Sequence, residues 1–288
     1  MNSAPTNSSG SKERNPMAHP WLFTDLDGTL IPLDKHPDTV TDLEQIRNLV
    51  LDKKLDLAYV TGRHFASALE AIDSFDLPIP RCLICNVGTE IYRAEKSIDV
   101  GLSWRPNVGY STTLSSLLKN WTTDRLESSL AGIEGLTKQE DEKLSQFKLS
   151  FYVQADQLPR LTELIEGILF NQEAPFSVVG SVDPFNGDGL IDLLPDKVNK
   201  AFAVNWLAGS MDINFSNQVI YAGDSGNDLA MLAADCRAIL VANAADIVRK
   251  AVTTLRSADG RIASLFVASK PATSGVLEGL QAFEVTGS

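Results

Sequence analysis

The stretch Trp21-Leu-Phe-Thr-Asp25-Leu-Asp27-Gly28-Thr29-Leu30 restricts the fold more than any other part of the chain. Its first four residues are apolar or β-branched, the composition of a strand buried on both faces, and Gly28 breaks the run just after two carboxylates. Asp25 and Asp27 therefore stand two apart at the carboxyl end of a strand, where an open α/β sheet places its ligands. An Asp-x-Asp pair alone is a common accident, and a single loop Asp usually does no more than keep the loop in water. The apolar strand before the pair, Gly-Thr after it and matching polar strand ends later in the chain make it a candidate site.

The rest of the chain supplies those strand ends. A helix is predicted over 38–54, with Leu43, Ile46, Val50 and Leu51 at the helical period. A strand over 55–60 ends at Thr61-Gly62-Arg63, a helix follows over 65–73, and a strand over 81–85 ends at Asn86-Val-Gly88. Between Ser97 and Pro195 the rhythm changes: helices over 111–121, 124–133 and 158–170 mix with strands over 147–153, 176–181 and 189–194. In the first of these strands Lys148 and Ser150 fall on one face, expected to be wet, opposite Phe147, Leu149 and Phe151. The alternation resumes with a helix from Lys200, a strand over 217–221 leading to Gly223-Asp224-Ser-Gly-Asn227-Asp228, a strand over 238–242 and a closing helix over 245–253. This order predicts an α/β fold: a doubly wound parallel-sheet core built from residues 17–96 and 196–288, with an α+β module inserted at 97–195. Residues 1–16, rich in Ser, Asn, Pro and Gly, read as a disordered tail without a signal pattern.

A net charge of −12 argues against nucleic acid and anionic membrane as partners, since both reward clustered Lys and Arg. No apolar run approaches the roughly 18 residues of a membrane span. Cys82, Cys85 and Cys236 are too few for a disulfide framework, so a reducing, cytoplasmic setting is expected. Cys82 and Cys85 form a C-x-x-C, but within a strand their side chains point to opposite faces, as buried thiols rather than a redox pair.

Asp25 and Asp27, Thr61, Lys200, and Asp224 with Asp228 are thus expected at one edge of one sheet. A cluster of Asp25, Asp224 and Asp228 is a hard-oxygen site suited to Mg²⁺. Lys200 supplies a point charge, and Thr61 with its following N–H groups can hold phosphoryl oxygens. Such cations are needed, because each pair of like charges at ~4 Å and an effective dielectric of ~20 costs about 4 kcal/mol.

These four motifs, in this order, resemble those of the haloacid-dehalogenase (HAD) superfamily over residues 20–265. The resemblance implies that Asp25 is a nucleophile forming an aspartyl-phosphate, and that Asp27 is the acid and base, its main-chain carbonyl helping Asp25, Asp224 and Asp228 to hold Mg²⁺. Lys200 rather than Lys197 takes the lysine role, with Ala201 where the family usually has Gly. The inserted module then corresponds to a cap that selects substrate. Asn86-Val-Gly-Thr-Glu-Ile-Tyr92, Gln146-Phe-Lys148-Leu-Ser150 and Ile191-Asp-Leu-Leu-Pro195 are most similar to sucrose-phosphate phosphatases and their sugar-phosphatase relatives. That similarity implies a small-molecule sugar phosphate as substrate, most simply sucrose 6-phosphate. Mannosylfructose phosphate, a glucosylglycerol-type phosphate, a phosphomannomutase-like activity and an inactive sugar-phosphate-binding module stand as alternatives. Gln146 and Lys148 would read glucosyl hydroxyls, and Thr61, Gly62, Arg63, Lys200 and Asn227 would complete substrate binding. A sugar-phosphate synthase is a candidate partner; oligomeric state is open, with a monomer favoured.

Overall fold

The computed structural model of the chain describes residues 19–32, 38–97, 101–182 and 187–285; the expected tail and part of the loop before residue 38 lie outside these. In chain order the elements are β1 (Trp21–Thr24), α1 (Asp38–Leu51), β2 (Asp56–Val60), α2 (Phe65–Ser74), β3 (Cys82–Cys85), β4 (Glu90–Ser97) and β5 (Gly101–Pro106). There follow α3 (Val108–Leu118), α4 (Thr123–Leu130), β6 (Thr137–Lys138), β7 (Leu149–Val153), α5 (Leu158–Asn171), β8 (Phe176–Val182) and β9 (Gly189–Pro195). The chain then forms α6 (Lys200–Ser210), α7 (Phe215–Gln218), β10 (Val219–Gly223), α8 (Leu229–Leu232), β11 (Arg237–Leu240), α9 (Asp246–Ala258), β12 (Leu265–Val267) and α10 (Ala272–Ala282).

An eight-stranded sheet runs β12-β11-β10-β1-β2-β3-β4-β5, and a four-stranded sheet runs β6-β7-β9-β8. The first six strands of the large sheet are parallel, as the continuous apolar runs predict, because helices cover both faces. Trp21 and Phe23 enter the apolar cluster on one face, and Leu22 enters the cluster on the other. Cys82 and Cys85 divide in the same way, as free, buried thiols, and burial pushes the Cys82 thiol up to about 11.

Three expectations need correction. First, β4 and β5 pair with each other and with β3, antiparallel, at the edge of the large sheet, so residues 101–106 belong to that sheet rather than to the inserted module. Their mixed burial, with few fully buried positions, gives little apolar periodicity to read. Second, the face of β7 bearing Ser150 and, just before it, Lys148 is not wet: Lys148 is 6% exposed and Ser150 0%. Asp192 on β9, directly opposite Ser150, accepts from the Ser150 hydroxyl at 2.5 Å and lies 3.4 Å from the Lys148 ammonium, so polar partners replace water. Third, β12 and α10 extend the large sheet and its helical layer beyond the helix expected to close the core, with α10 packed on α1.

Candidate active site

The site follows from strand register. β1 lies between β10 and β2, with α1 of the β1–β2 connection on one face and α6 and α8, which flank β10, on the other, and this reversal opens a crevice at the carboxyl ends of the strands. Thr24 pairs with Ala222 and with Tyr59, which sets Asp25 one step past β1, level with the end of β10 and with Val60. The Asp25 N–H donates to the Ala222 carbonyl at 3.0 Å and extends that register into the loop. Asp224 and Thr61 each follow their strands by one residue, so three distant segments deliver polar side chains to one place.

Lys200, the first residue of α6, is fully buried there. Asn199 caps the helix by accepting from the Phe202 N–H at 2.9 Å, which fixes where the helix begins and so where the lysine stands. The Lys200 ammonium lies 3.0 Å from Asp25 and 2.7 Å from Asp228. Lys197, the competing lysine, is exposed.

One oxygen from each of Asp25, Asp224 and Asp228 falls within 4.8 Å of the others. Asp228 has both oxygens engaged: Oδ1 accepts from Lys200 and the Tyr221 hydroxyl, and Oδ2 from the Asp224 and Ser225 N–H groups and the Ser225 hydroxyl. Asp25 Oδ1 accepts from Leu26 N–H at 2.8 Å, and Asp224 Oδ1 from the Thr29 hydroxyl at 2.9 Å. The remaining oxygens of Asp25 and Asp224 accept no hydrogen bond from the described residues, so these two carboxylates keep a hard donor atom each. Electrostatics agrees. Burial, then the charges of Asp228 and Asp224, push the Asp25 carboxyl well above its ordinary range despite Lys200. Burial and Asp228 raise Asp224 to about 6. Burial opposes ionisation of Asp228 too, but Lys200, the Tyr221 hydroxyl and the Ser225 N–H together hold that carboxyl below its usual value. A crowded carboxylate set with spare hard oxygens fits a divalent cation such as Mg²⁺.

Asp27 points elsewhere. It receives a bidentate pair from Arg63, Nε and Nη2 each at 2.7 Å, with both side chains about one-third exposed. Gly28 turns the chain at φ +77°, and a Cβ there would lie 2.6 Å from Asp224 Oδ2, so only glycine lets the loop approach that carboxylate. The loop is tied from behind: Asn243 Nδ2 donates to the Gly28 carbonyl at 2.8 Å and its Oδ1 accepts from Ala272 N–H, while the Thr273 hydroxyl donates to the Leu30 carbonyl at 2.6 Å.

A family model described as sucrose-6F-phosphate phosphohydrolase matches residues 19–284. The chain belongs to this family. Its members are HAD-type sugar phosphatases, hydrolases of phosphoric monoesters. The chain is 34% identical to a Nitrosococcus oceani protein described only as a HAD-like hydrolase, over 80% of this chain and 60% of that one. It is 26% identical to the mannosylfructose-phosphate phosphatase of Agrobacterium fabrum, over 90% and 95% of the two chains. The crystal structure of a Synechocystis sucrose-phosphatase, in complex with sucrose and phosphate, superposes with a TM-score of 0.68 at 25% identity, covering 93% of this chain and 99% of that one.

Within this family member, Asp25, Thr61, Lys200, Asp224 and Asp228 are drawn together at the sheet edge, as the sequence led us to expect. Thr61 is buried, its hydroxyl accepting from Arg63 N–H at 3.1 Å, and Gly62 follows it at the turn. Asn227 is exposed and accepts from the Ser225 hydroxyl at 3.0 Å. Arg63, expected on the substrate, is on Asp27. Gln146 does not share a strand face with Lys148: Ser145 and Lys148 bridge each other, and Gln146 stands exposed in the two-residue turn between them. Tyr221, Thr29, Asn243 and Thr273 were missed. Asn243 could have been found, since it is another polar residue just beyond a strand end. The cleft of about 1080 Å³ lined by Arg47, Arg81 and Met211, and the cavity of about 460 Å³ lined by Tyr152, Arg160 and Asp188, do not include the acidic cluster.

Proposed function

We propose that the chain hydrolyses a disaccharide phosphate, most simply sucrose 6-phosphate, with Mg²⁺ and through a phosphorylated Asp25. The observation that carries this reading is the Asp25 carboxylate, buried beside Lys200 and Asp224 with one oxygen uncommitted. That oxygen attacks phosphorus, and the ester oxygen leaves as an alcohol with a proton from Asp27. Water then attacks the aspartyl-phosphate, gives its proton to Asp27 and releases inorganic phosphate with Asp25 restored. Arg63 pairs with the carboxylate form, so Asp27 must leave that partner and take up a proton before it serves as the acid. A bound Mg²⁺ would be held by Asp224 and by the Asp25 oxygen that does not attack, together with the Asp27 carbonyl and Asp228, and would offset the charge between nucleophile and phosphate. Lys200 and the Thr61–Gly62 turn bind phosphoryl oxygens. The four-stranded sheet and its helices serve as the cap, with Gln146 and Lys148 toward the sugar, and a sugar-phosphate synthase is the class of partner that would supply the substrate.

The second reading, mannosylfructose phosphate, is favoured by the Agrobacterium relative, 95% of whose length this chain spans. Phosphate release from both esters, from monosaccharide phosphates and from an aryl phosphate decides between them. Sucrose 6-phosphate is expected to give the highest kcat/KM, and chelation with EDTA should abolish every activity. Faster turnover of a monosaccharide or non-sugar ester would sink the proposal.

A further inference from the structure

Asn86 has no part in the chemistry above, yet it is one of three described residues with a buried side-chain atom that lacks a hydrogen-bond partner. It is 1% exposed, its Oδ1 is buried without a hydrogen-bond partner, and its side chain makes no hydrogen bond to the described residues. Buried amides in folded proteins nearly always have partners, so an orphan needs an explanation. Its position supplies one. Asn86 is the first residue past β3; its N–H donates to the Arg63 carbonyl at 2.9 Å, and the N–H of Val87 donates to the Thr61 carbonyl at 3.1 Å. On the other side Gly88 is pressed against the start of α6, where a Cβ would meet the Asn199 carbonyl oxygen at 2.4 Å and the Lys200 nitrogen at 2.9 Å. The turn is thus clamped between Thr61 and Lys200.

The backbone is held there against its preference. Asn86, Val87 and Gly88 are left-handed in succession, at φ +50°, +58° and +100°. Asn tolerates this region and Gly adopts it freely, but a β-branched Val does not, and such conformations persist where surrounding structure enforces them. The enforcing contacts are the two backbone hydrogen bonds, the Lys200 helix and the Tyr110 hydroxyl, which donates to the Gly88 carbonyl. A strained turn that carries an unpartnered amide between two phosphate-binding elements is built to meet something.

Building on the phosphatase reading, we propose that Asn86 is a further phosphate-binding residue, its amide N–H₂ donating to a phosphoryl oxygen that enters between Thr61 and Lys200. A phosphoryl dianion offers only acceptors, and an amide presents its donor end by a half-turn about its last bond.

The test uses the full chain with Mg²⁺, inorganic phosphate as the probe, and calorimetry alongside turnover of an aryl phosphate. In Asn86→Gly the left-handed turn is kept without strain, so the melting temperature should hold or rise, while affinity for phosphate falls about tenfold and kcat/KM falls with it. Asn86→Asp keeps shape and turn preference but sets a charge against the phosphate, and should lose more. Wild-type phosphate affinity in either folded variant overturns the proposal. So does a loss confined to sugar esters with phosphate binding intact, which would put the amide on the leaving group. If the wild type turns over no ester at all, the phosphatase reading fails, and calorimetry with phosphate still judges Asn86 by itself.

Discussion

Two of the buried polar clusters among the described residues are balanced differently. At the edge of the large sheet three carboxylates crowd within reach of one ammonium, and burial raises two of them out of their normal range. In the smaller sheet one ammonium, Lys148, meets one carboxylate, Asp192, with the Ser150 hydroxyl completing the set. The first cluster is short of positive charge and gains from a cation. The second is already neutral, so under the proposed function a sugar hydroxyl would enter it only by exchanging for a partner.

Breaking the deficit should have the largest effect. Asp25→Asn removes the proposed nucleophile, and turnover of every phosphate ester should fall by on the order of 10⁴-fold or more, the scale on which covalent machinery is lost. Stability should hold or increase in the same variant by thermal melting, because a crowded buried charge is gone; a residual activity near wild type would reject the mechanism. Next, Lys200→Met leaves Asp25 and Asp228 buried without their cation and should destabilise the fold by about 3–5 kcal/mol, as removal of one partner from a buried pair does. Urea unfolding measures it, and an unchanged midpoint would mean the lysine is not the hub of the cluster. The smallest effect tests the balanced cluster: Asp192→Asn loosens Lys148 without touching phosphate chemistry. The kcat/KM for the disaccharide phosphate should fall roughly tenfold, while that for an aryl phosphate stays within about twofold, a margin typical of losing a hydrogen bond to a charged group. Equal losses on both substrates would make Asp192 a merely structural residue.

The same contrast explains what could be read from the sequence. Asp25, Thr61 and Asp224 were legible because each follows a buried parallel strand, and parallel register carries such positions to one edge whatever the intervening chain does. Lys200 was legible only through family similarity, its placement resting on a helix cap and on two carboxylates far away in sequence. In the smaller sheet, alternation marked Lys148 and Ser150 as a polar face, but a polar face reads alike whether water or Asp192 covers it. β4 and β5 escaped because edge strands have mixed burial. Tyr221 escaped because a tyrosine inside an apolar strand looks like packing until its hydroxyl finds Asp228.

The hydrogen bond from Thr273 to the Leu30 carbonyl joins residues 243 positions apart. During synthesis on the ribosome the loop that follows Asp25 emerges well before the helix that braces it is translated. Until that helix docks, the nascent polypeptide has Asp25 but not the brace behind its loop, so the loop takes its final shape only once the two distant segments have met.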